Sequence, residues 1–411
     1  MIPDVTLATA CYDLTKYFAG SRNIEATIQN METLLEIECF LCIFGDSVTI
    51  PLIREIRNRK FGLGRLTHYI IIDLQNLWAY KYADRIRTNR LAYHPTKTDR
   101  DSTESHIIQC NKFDFVLMAM KSDPFRTSKF GWIDANVGIN GAKICQDYNK
   151  DLLPTILHNV TEKFHIQLLN VEDKAIAHPD RLREFYERYR WVVCGCLFTT
   201  GRSIGIPILN RLKEVFIETT MLGYGHAEEP LFIGVLDEFY DSIERSYGDY
   251  YNILNNFTRH TRGFQYIYGN LLERYMNFRY YREGYDCSKK LVADFDVGDA
   301  SDSLRFLIHF KHFLFAWHHR REEACGILKV IKQRIVDGTY KEEFLKRKTD
   351  YLESFRLCAP APRSTRRERR AARRTRRRGP SEGLLHGNQK TSDTLPAIPY
   401  SPPAQPSPSV L

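Results

Sequence analysis

Short apolar runs alternate along the chain with segments whose apolar residues recur every three to four positions, the pattern of strands interleaved with helices. Val5–Tyr12 reads as a β-rich run, and Ser21–Glu36 follows it with Ile24, Ile28, Met31, Leu34 and Leu35 at helical spacing. Cys39–Phe44 predicts a second strand, followed by a helix whose start is signalled by Thr49 and Pro51. His68–Asp73 predicts a third strand, joined to a helix over Leu74–Arg90. A polar loop, Tyr93–Ser105, leads into a helix over Ile107–Met120 and a strand over Phe130–Asp134. Phe164–Leu169 and Trp191–Phe198 supply two more strands, separated by a helix that Pro179 opens. This order predicts an α/β fold with a mostly parallel sheet and helices on both faces.

Beyond Asn256 the pattern becomes helical, with predicted helices over Gly269–Tyr281, Ser303–His319 and Glu322–Phe355, the last with a break at Gly338. The most apolar window, Leu304–Trp317, is too short to span a bilayer and contains His309, Lys311 and His312, so it predicts a buried helix. From Cys358 onward Pro, Arg, Ser and Gly dominate, and apolar residues are too sparse to offset the entropy of ordering. The predicted organisation is therefore a sheet-based domain over residues 1–257, a helical region over 258–357 and a disordered tail over 358–411.

The formal charge of the 411-residue chain is +9, which on its own suggests a nucleic-acid partner. Localising it changes the picture. Ten arginines and one glutamate between Arg363 and Arg378 account for all of it, so the body is neutral overall, which argues against a large nucleic-acid groove there. An acidic partner or nucleic acid is expected only through the tail, which also reads as a nuclear address. The N-terminal residues lack a basic stretch followed by an apolar run, which predicts a cytoplasmic protein without a membrane span. In that setting the ten cysteines read as reduced core thiols rather than a disulfide framework.

Open α/β sheets bind ligands beyond the carboxyl ends of their strands, so candidate chemistry is sought there. Thr9 and Tyr12 close the first strand, where the tyrosine is either a stacking surface for a base or an aromatic packed at a strand end. Asp46 follows Gly45 after the second, able to accept hydrogen bonds from a ribose or to stabilise a turn. The fourth ends in Asp134-x-Asn136, with Lys129 and Trp132 beside it; Asp-x-Asn places two oxygen-bearing side chains on one side of an extended chain, an arrangement that hard cations such as Mn2+ or Mg2+ accept. Gly195 and Gly201 flank Phe198 in the strand that starts near Trp191, and both glycines allow close backbone approach. Glu228 and Glu229 precede Pro230, which suits the first turn of a helix, so they are either helix-favourable charges or a carboxylate base in a cleft. His309 and His312 share a helical face and are candidate metal ligands, more simply core histidines. No phosphate-binding Gly-x-x-x-x-Gly-Lys-Ser/Thr element and no dinucleotide fingerprint are present.

Taken together, Thr6–Asp13, Phe40–Asp46, Pro124-Phe125 with Phe130–Asp134, Cys194–Gly201, Glu228-Glu229 and Gly248-Asp249-Tyr250 resemble the HtrL/YibB family, which is similar to the GT-A class of nucleotide-sugar glycosyltransferases. The resemblance covers about residues 4–257. It implies a GT-A-like fold, a nucleotide-sugar donor and an acceptor hydroxyl. It also implies an Asp-x-Asp element that holds a divalent metal with the donor diphosphate, and an acidic pair beside the acceptor. Asp134 matches the first acid of that element, and Asn136 stands in place of the second. Glu228-Glu229 matches the acidic pair and makes Glu229 the candidate base. Thr9, Tyr12, Asp46, Lys129 and Trp132 fall on the donor side, and Gly195, Phe198 and Gly201 on the acceptor side. The alternative class is a catalytically silent module that binds sugar nucleotides or proteins.

Overall fold

Seven runs rich in β-branched and aromatic residues form one sheet in the computed structural model, which describes residues 2–17, 23–92, 102–135, 137, 151–186, 190–224, 227–250, 253–257, 266–295, 301–341 and 358. The strands are β1 (Val5–Cys11), β2 (Phe40–Gly45), β3 (Thr67–Ile71), β4 (Lys129–Ile133), β5 (Phe164–Leu168), β6 (Val193–Gly201) and β7 (Ile243–Tyr247). Their spatial order is β3-β2-β1-β4-β6-β5-β7. Every strand points the same way except β6, which runs antiparallel to both β4 and β5. The predicted α/β class and mostly parallel sheet are thus present, with one reversed strand inside.

The helices beside the sheet are α1 (Ile24–Leu35), α2 (Thr49–Arg54), α3 (Ala83–Ala92), α4 (Thr103–Ser122), α5 (Leu152–His158), α6 (Leu182–Tyr186), α7 (Arg202–Met221), α8 (Phe232–Glu238) and α9 (Ile253–Phe257); several have ends shifted from the predicted ones, and α5 and α9 were not predicted. The helix expected from Leu74 begins instead as two 3₁₀ turns, Leu74–Asn76 and Trp78–Tyr82, before α3. Strand β7 is absent from the sequence reading, because Ile243-Glu-Arg-Ser-Tyr has too few apolar residues to mark a strand. Its inward Ile243 and Tyr247 are nonetheless buried.

Helix α4 positions the site. Ser102 caps it by accepting the Ser105 N–H at 3.0 Å, and the left-handed Asp123 ends it. Its buried residues are distributed nearly all round, as expected of a helix sandwiched between sheet and further helices. Phe115 stacks on Trp132 of β4 at 5.9 Å and on Tyr12 at 6.4 Å, which fixes the helix over β1 and β4.

C-terminal to the sheet lie α10 (Tyr266–Asn277), α11 (Tyr281–Phe295), α12 (Asp302–His319) and α13 (Arg321–Val336). Residues of the Leu304–Trp317 window are buried as predicted, and among the described residues no helix is long and apolar enough to cross a membrane. His309 Nδ1 is bonded to the Tyr340 hydroxyl at 2.9 Å and His312 Nδ1 to the Ser288 hydroxyl at 2.9 Å. Both imidazoles are therefore core hydrogen-bonding groups. Cys11, Cys39, Cys42, Cys110, Cys194, Cys196 and Cys287 are buried and outside any disulfide, as expected of core thiols, whereas Cys325 departs from that expectation and is disulfide-bonded. The described residues of the sheet and helices fall within one compact unit, Met1–Leu352. The tail reading falls, apart from Cys358, outside the described residues.

Candidate active site

After β1 the chain builds β2 and β3 on one side, and after β3 it crosses to β4 on the other, so the sheet order switches between β1 and β4. A crevice opens beyond the strand ends at such a switch. Here it is a cavity of about 300 Å3. Ala10 and Leu14 reach it from the end of β1, and Trp132, Asp134 and Ala135 from the end of β4. Ser105, Ile108, Gln109 and Lys112 line it from α4 at a spacing that puts them on one helical face. Trp191, Glu228, Glu229 and Tyr250 complete the wall.

Lys112 lies at the centre of the polar part. It is buried, and its Nζ lies 3.0 Å from Asp134 Oδ1, in contact with Glu228 Oε1 and 3.1 Å from the Gly195 carbonyl to which it donates. Trp132 Nε1 donates to the same Asp134 Oδ1 at 2.6 Å, and the Asp134 N–H donates to the Cys196 carbonyl at 2.8 Å. Asp134 is thereby fixed at both backbone and side chain. Burial works against the charged Lys112, but Asp134 and Glu228 outweigh it and hold the ammonium's pKa above the ordinary lysine range. Two carboxylates share that one ammonium; burial, with Asp134 adding and Lys112 opposing, pushes the Glu228 carboxyl up.

Glu229 is buried in the same wall, and its Oε1 accepts the Gly195 N–H at 3.3 Å. The expected turn is present: Pro230 sits in a 3₁₀ turn, Glu229–Leu231, that leads into α8. Gly195 is needed there, because a β-carbon on it would lie 2.5 Å from Glu228 Oε1.

Of the residues singled out by sequence, Trp132, Asp134, Glu228 and Glu229 converge on the cavity, and Gly195 backs it. Others lie elsewhere. Thr9 is fully buried within β1, and Tyr12 packs its ring on Phe115, the strand-end alternative noted above. Both Asp46 oxygens are occupied, Oδ1 by the Val48 and Thr49 N–H groups at 2.9 and 2.8 Å and Oδ2 by the Asp13 N–H at 3.1 Å. Lys129 opens β4, roughly 15 Å of extended chain from Asp134 at the other end. Phe198 is buried against Phe164, with ring centroids 5.1 Å apart. Gly201 pairs with Lys129 and adjoins Glu162, so it too lies at the opposite edge of the sheet. The cause is the reversal of β6: its beginning, not its end, meets the carboxyl ends of the other strands. Asn136 lies outside the described residues.

Sequence reasoning missed Lys112. Its signal was a single cation inside the apolar run from Ile107 to Met120, which ought to cost stability unless it is paired. Tyr250 was part of the family motif without a role; it stands in the cavity wall, and burial raises its hydroxyl pKa well above the usual value. Trp191, expected inside a strand, precedes β6 and exposes half of its surface at the cavity.

Residues 3–175 match the model of the HtrL_YibB family, described as a bacterial protein of unknown function. The match bears out the resemblance carried by Thr6–Asp13, Phe40–Asp46 and Pro124–Asp134, and it ends before Cys194 and Glu228. No curated protein matches the chain. Among solved structures it is similar to the galactosyltransferase LgtC in complex with donor and acceptor sugar analogs, with 7% identity, a TM-score of 0.33, and coverage of 59% of this chain and 73% of that one. It is also similar to mouse xyloside xylosyltransferase 1 in its apo form, with 9% identity, a TM-score of 0.33, and coverage of 59% of this chain and 84% of that one.

Proposed function

We propose that the protein is a GT-A-type glycosyltransferase, moving a sugar from a nucleotide-sugar donor to an acceptor hydroxyl in the cavity between β1, β4 and α4. The observation that carries this reading is the convergence of Asp134 with Glu228 and Glu229. These acids are far apart in sequence and meet in one cavity at the switch point of the sheet. Trp132 and Asp134 lie on the donor side, and Gly195 with Glu228 and Glu229 on the acceptor side. Trp191 offers an exposed aromatic face against which a sugar ring can pack.

In the proposed reaction the acceptor oxygen bonds to the anomeric carbon as the bond from that carbon to the diphosphate breaks. The leaving nucleoside diphosphate takes the bonding electrons, and Glu229 takes the acceptor's proton. Residues 1–257 form the transferase domain in this reading, with 258–357 as a helical region and 358–411 as a tail.

A thermal-shift screen of nucleotide sugars against the whole chain tests it, followed by a search for transfer to added glycans. A donor present at about 100 times its Kd stabilises a protein by about 2.7 kcal/mol. Asp134→Ala is expected to abolish the shift. A screen in which no nucleotide sugar shifts the wild type sinks the proposal, and binding without any transfer or donor hydrolysis favours a silent binding module.

A further inference from the structure

We propose that Lys112 is the resident cation of this site: its ammonium holds the place between Asp134 and Glu228 that a divalent ion would need, and the donor is bound without a metal. The identity of the ligand rests on the glycosyl-transfer reading; the cation's position does not.

The argument begins with the donor set. Mn2+ and Mg2+ need several oxygen ligands at about 2.0–2.2 Å. Two of the carboxylate oxygens of the cavity wall, Asp134 Oδ1 and Glu228 Oε1, already meet on Lys112 Nζ. An ammonium has three protons, and these two oxygens with the Gly195 carbonyl make three acceptors. Asp134 Oδ1 also accepts from Trp132 Nε1. An ion placed between the two acids would therefore have to expel the ammonium.

Three contacts hold the ammonium where it is. Lys112 is a buried residue in the middle of α4, and the Gly195 carbonyl belongs to β6, whose backbone is held by neighbours on both sides. With the ammonium seated there, the described residues do not fit the metal that the family resemblance implies.

The same geometry gives Lys112 a second use. It is the one cationic side chain among the described residues that line the cavity. Of its three acceptors the Gly195 carbonyl is the neutral one, and a phosphate oxygen entering the cavity competes with that carbonyl for its proton.

Manganese alone is the first probe. The free Mn2+ signal is titrated by electron paramagnetic resonance with the wild-type chain, Asp134→Asn, Lys112→Met and the Lys112→Met/Asp134→Asn double variant. The expected result is no stoichiometric uptake by the wild type, and one equivalent taken by Lys112→Met, tighter by on the order of tenfold or more. The double variant should lose it again. Uptake of one equivalent by the wild type, abolished in Asp134→Asn, overturns the proposal, as does a folded Lys112→Met protein that gains no site. Should Lys112→Met fail to fold, the wild type and Asp134→Asn decide between them. In a second arm, uridine, guanosine, adenosine and cytidine diphosphates are titrated calorimetrically with EDTA or with Mn2+. Equal affinity in both supports the proposal, and binding in Mn2+ only overturns it. Failure of every diphosphate in both buffers counts against glycosyl transfer instead, and leaves the manganese titration to judge Lys112.

Discussion

Gly195 and Glu228 are in such close apposition that the glycine's missing side chain is part of the site: a β-carbon there would lie 2.5 Å from Glu228 Oε1 and 3.1 Å from its Cδ. Glu228 cannot turn away without leaving Lys112, which also holds Asp134. Gly195→Ala is therefore expected to cost about 1–3 kcal/mol of stability through overpacking. It should also weaken donor binding. Chemical denaturation and the nucleotide-sugar thermal shift check the two effects, and wild-type values in both would show that the pair is not tightly held.

Glu229 is the candidate base, so its amide variant tests chemistry apart from binding. Glu229→Gln keeps the size of the side chain and an oxygen for the Gly195 N–H, which now meets Glu229 Oε1 at 3.3 Å. Once a donor and acceptor pair is known, kcat should fall by about 10²–10⁴-fold while donor Kd changes little. A kcat within a few-fold of wild type would remove Glu229 from the reaction.

Arg57 is a structural counterpart to Lys112. Its Nη1 donates to the carbonyls of Leu35 and Ile37 at 2.7 Å each, its Nη2 to the Cys39 carbonyl at 2.8 Å and its Nε to Thr67 Oγ1 at 2.9 Å. A short π-helical turn, Glu55–Lys60, carries it there, tying the end of α1 to β2 and β3. Arg57→Met leaves those carbonyls without a donor, each worth about 1–3 kcal/mol. A loss of several kcal/mol in urea denaturation is expected, with only part restored by Arg57→Lys, which lacks the planar fork. A loss below about 1 kcal/mol would contradict this account.

Acid sensitivity is expected from His165 in β5. Its ring stacks on Phe257 with centroids 4.0 Å apart, and its Nε2 is buried without a hydrogen-bond partner. Burial, with the charge of Lys290 adding, lowers its pKa from 6.5 to about 3. Below pH 6.5 the unfolded chain takes up a proton that the folded chain refuses, so stability falls as pH falls toward 3. The slope is about 1.4 kcal/mol per pH unit, and above pH 6.5 the group adds none. His165→Phe keeps the stack and should flatten this part of the profile. Identical urea midpoints as a function of pH in wild type and variant would refute the assignment.

The chain's own pattern marked six of the seven strands and most of the helices, because apolar periodicity is a local property of the chain, whereas β7, with few apolar residues, was left to the tertiary structure. It marked Asp134 and the Glu228-Glu229 turn in the same way, as polar residues just beyond apolar elements. The direction of β6 was another matter. Pairing with β4 and β5 set it, through contacts distant in sequence, and its reversal is why Gly195 meets the cavity while Gly201 lies at the far edge. Lys112 was equally out of reach. A lone cation in an apolar helix says that a partner exists, but only the tertiary structure brought Asp134 and Glu228 to it, since burying that charge is tolerable only where opposite charges from other elements converge.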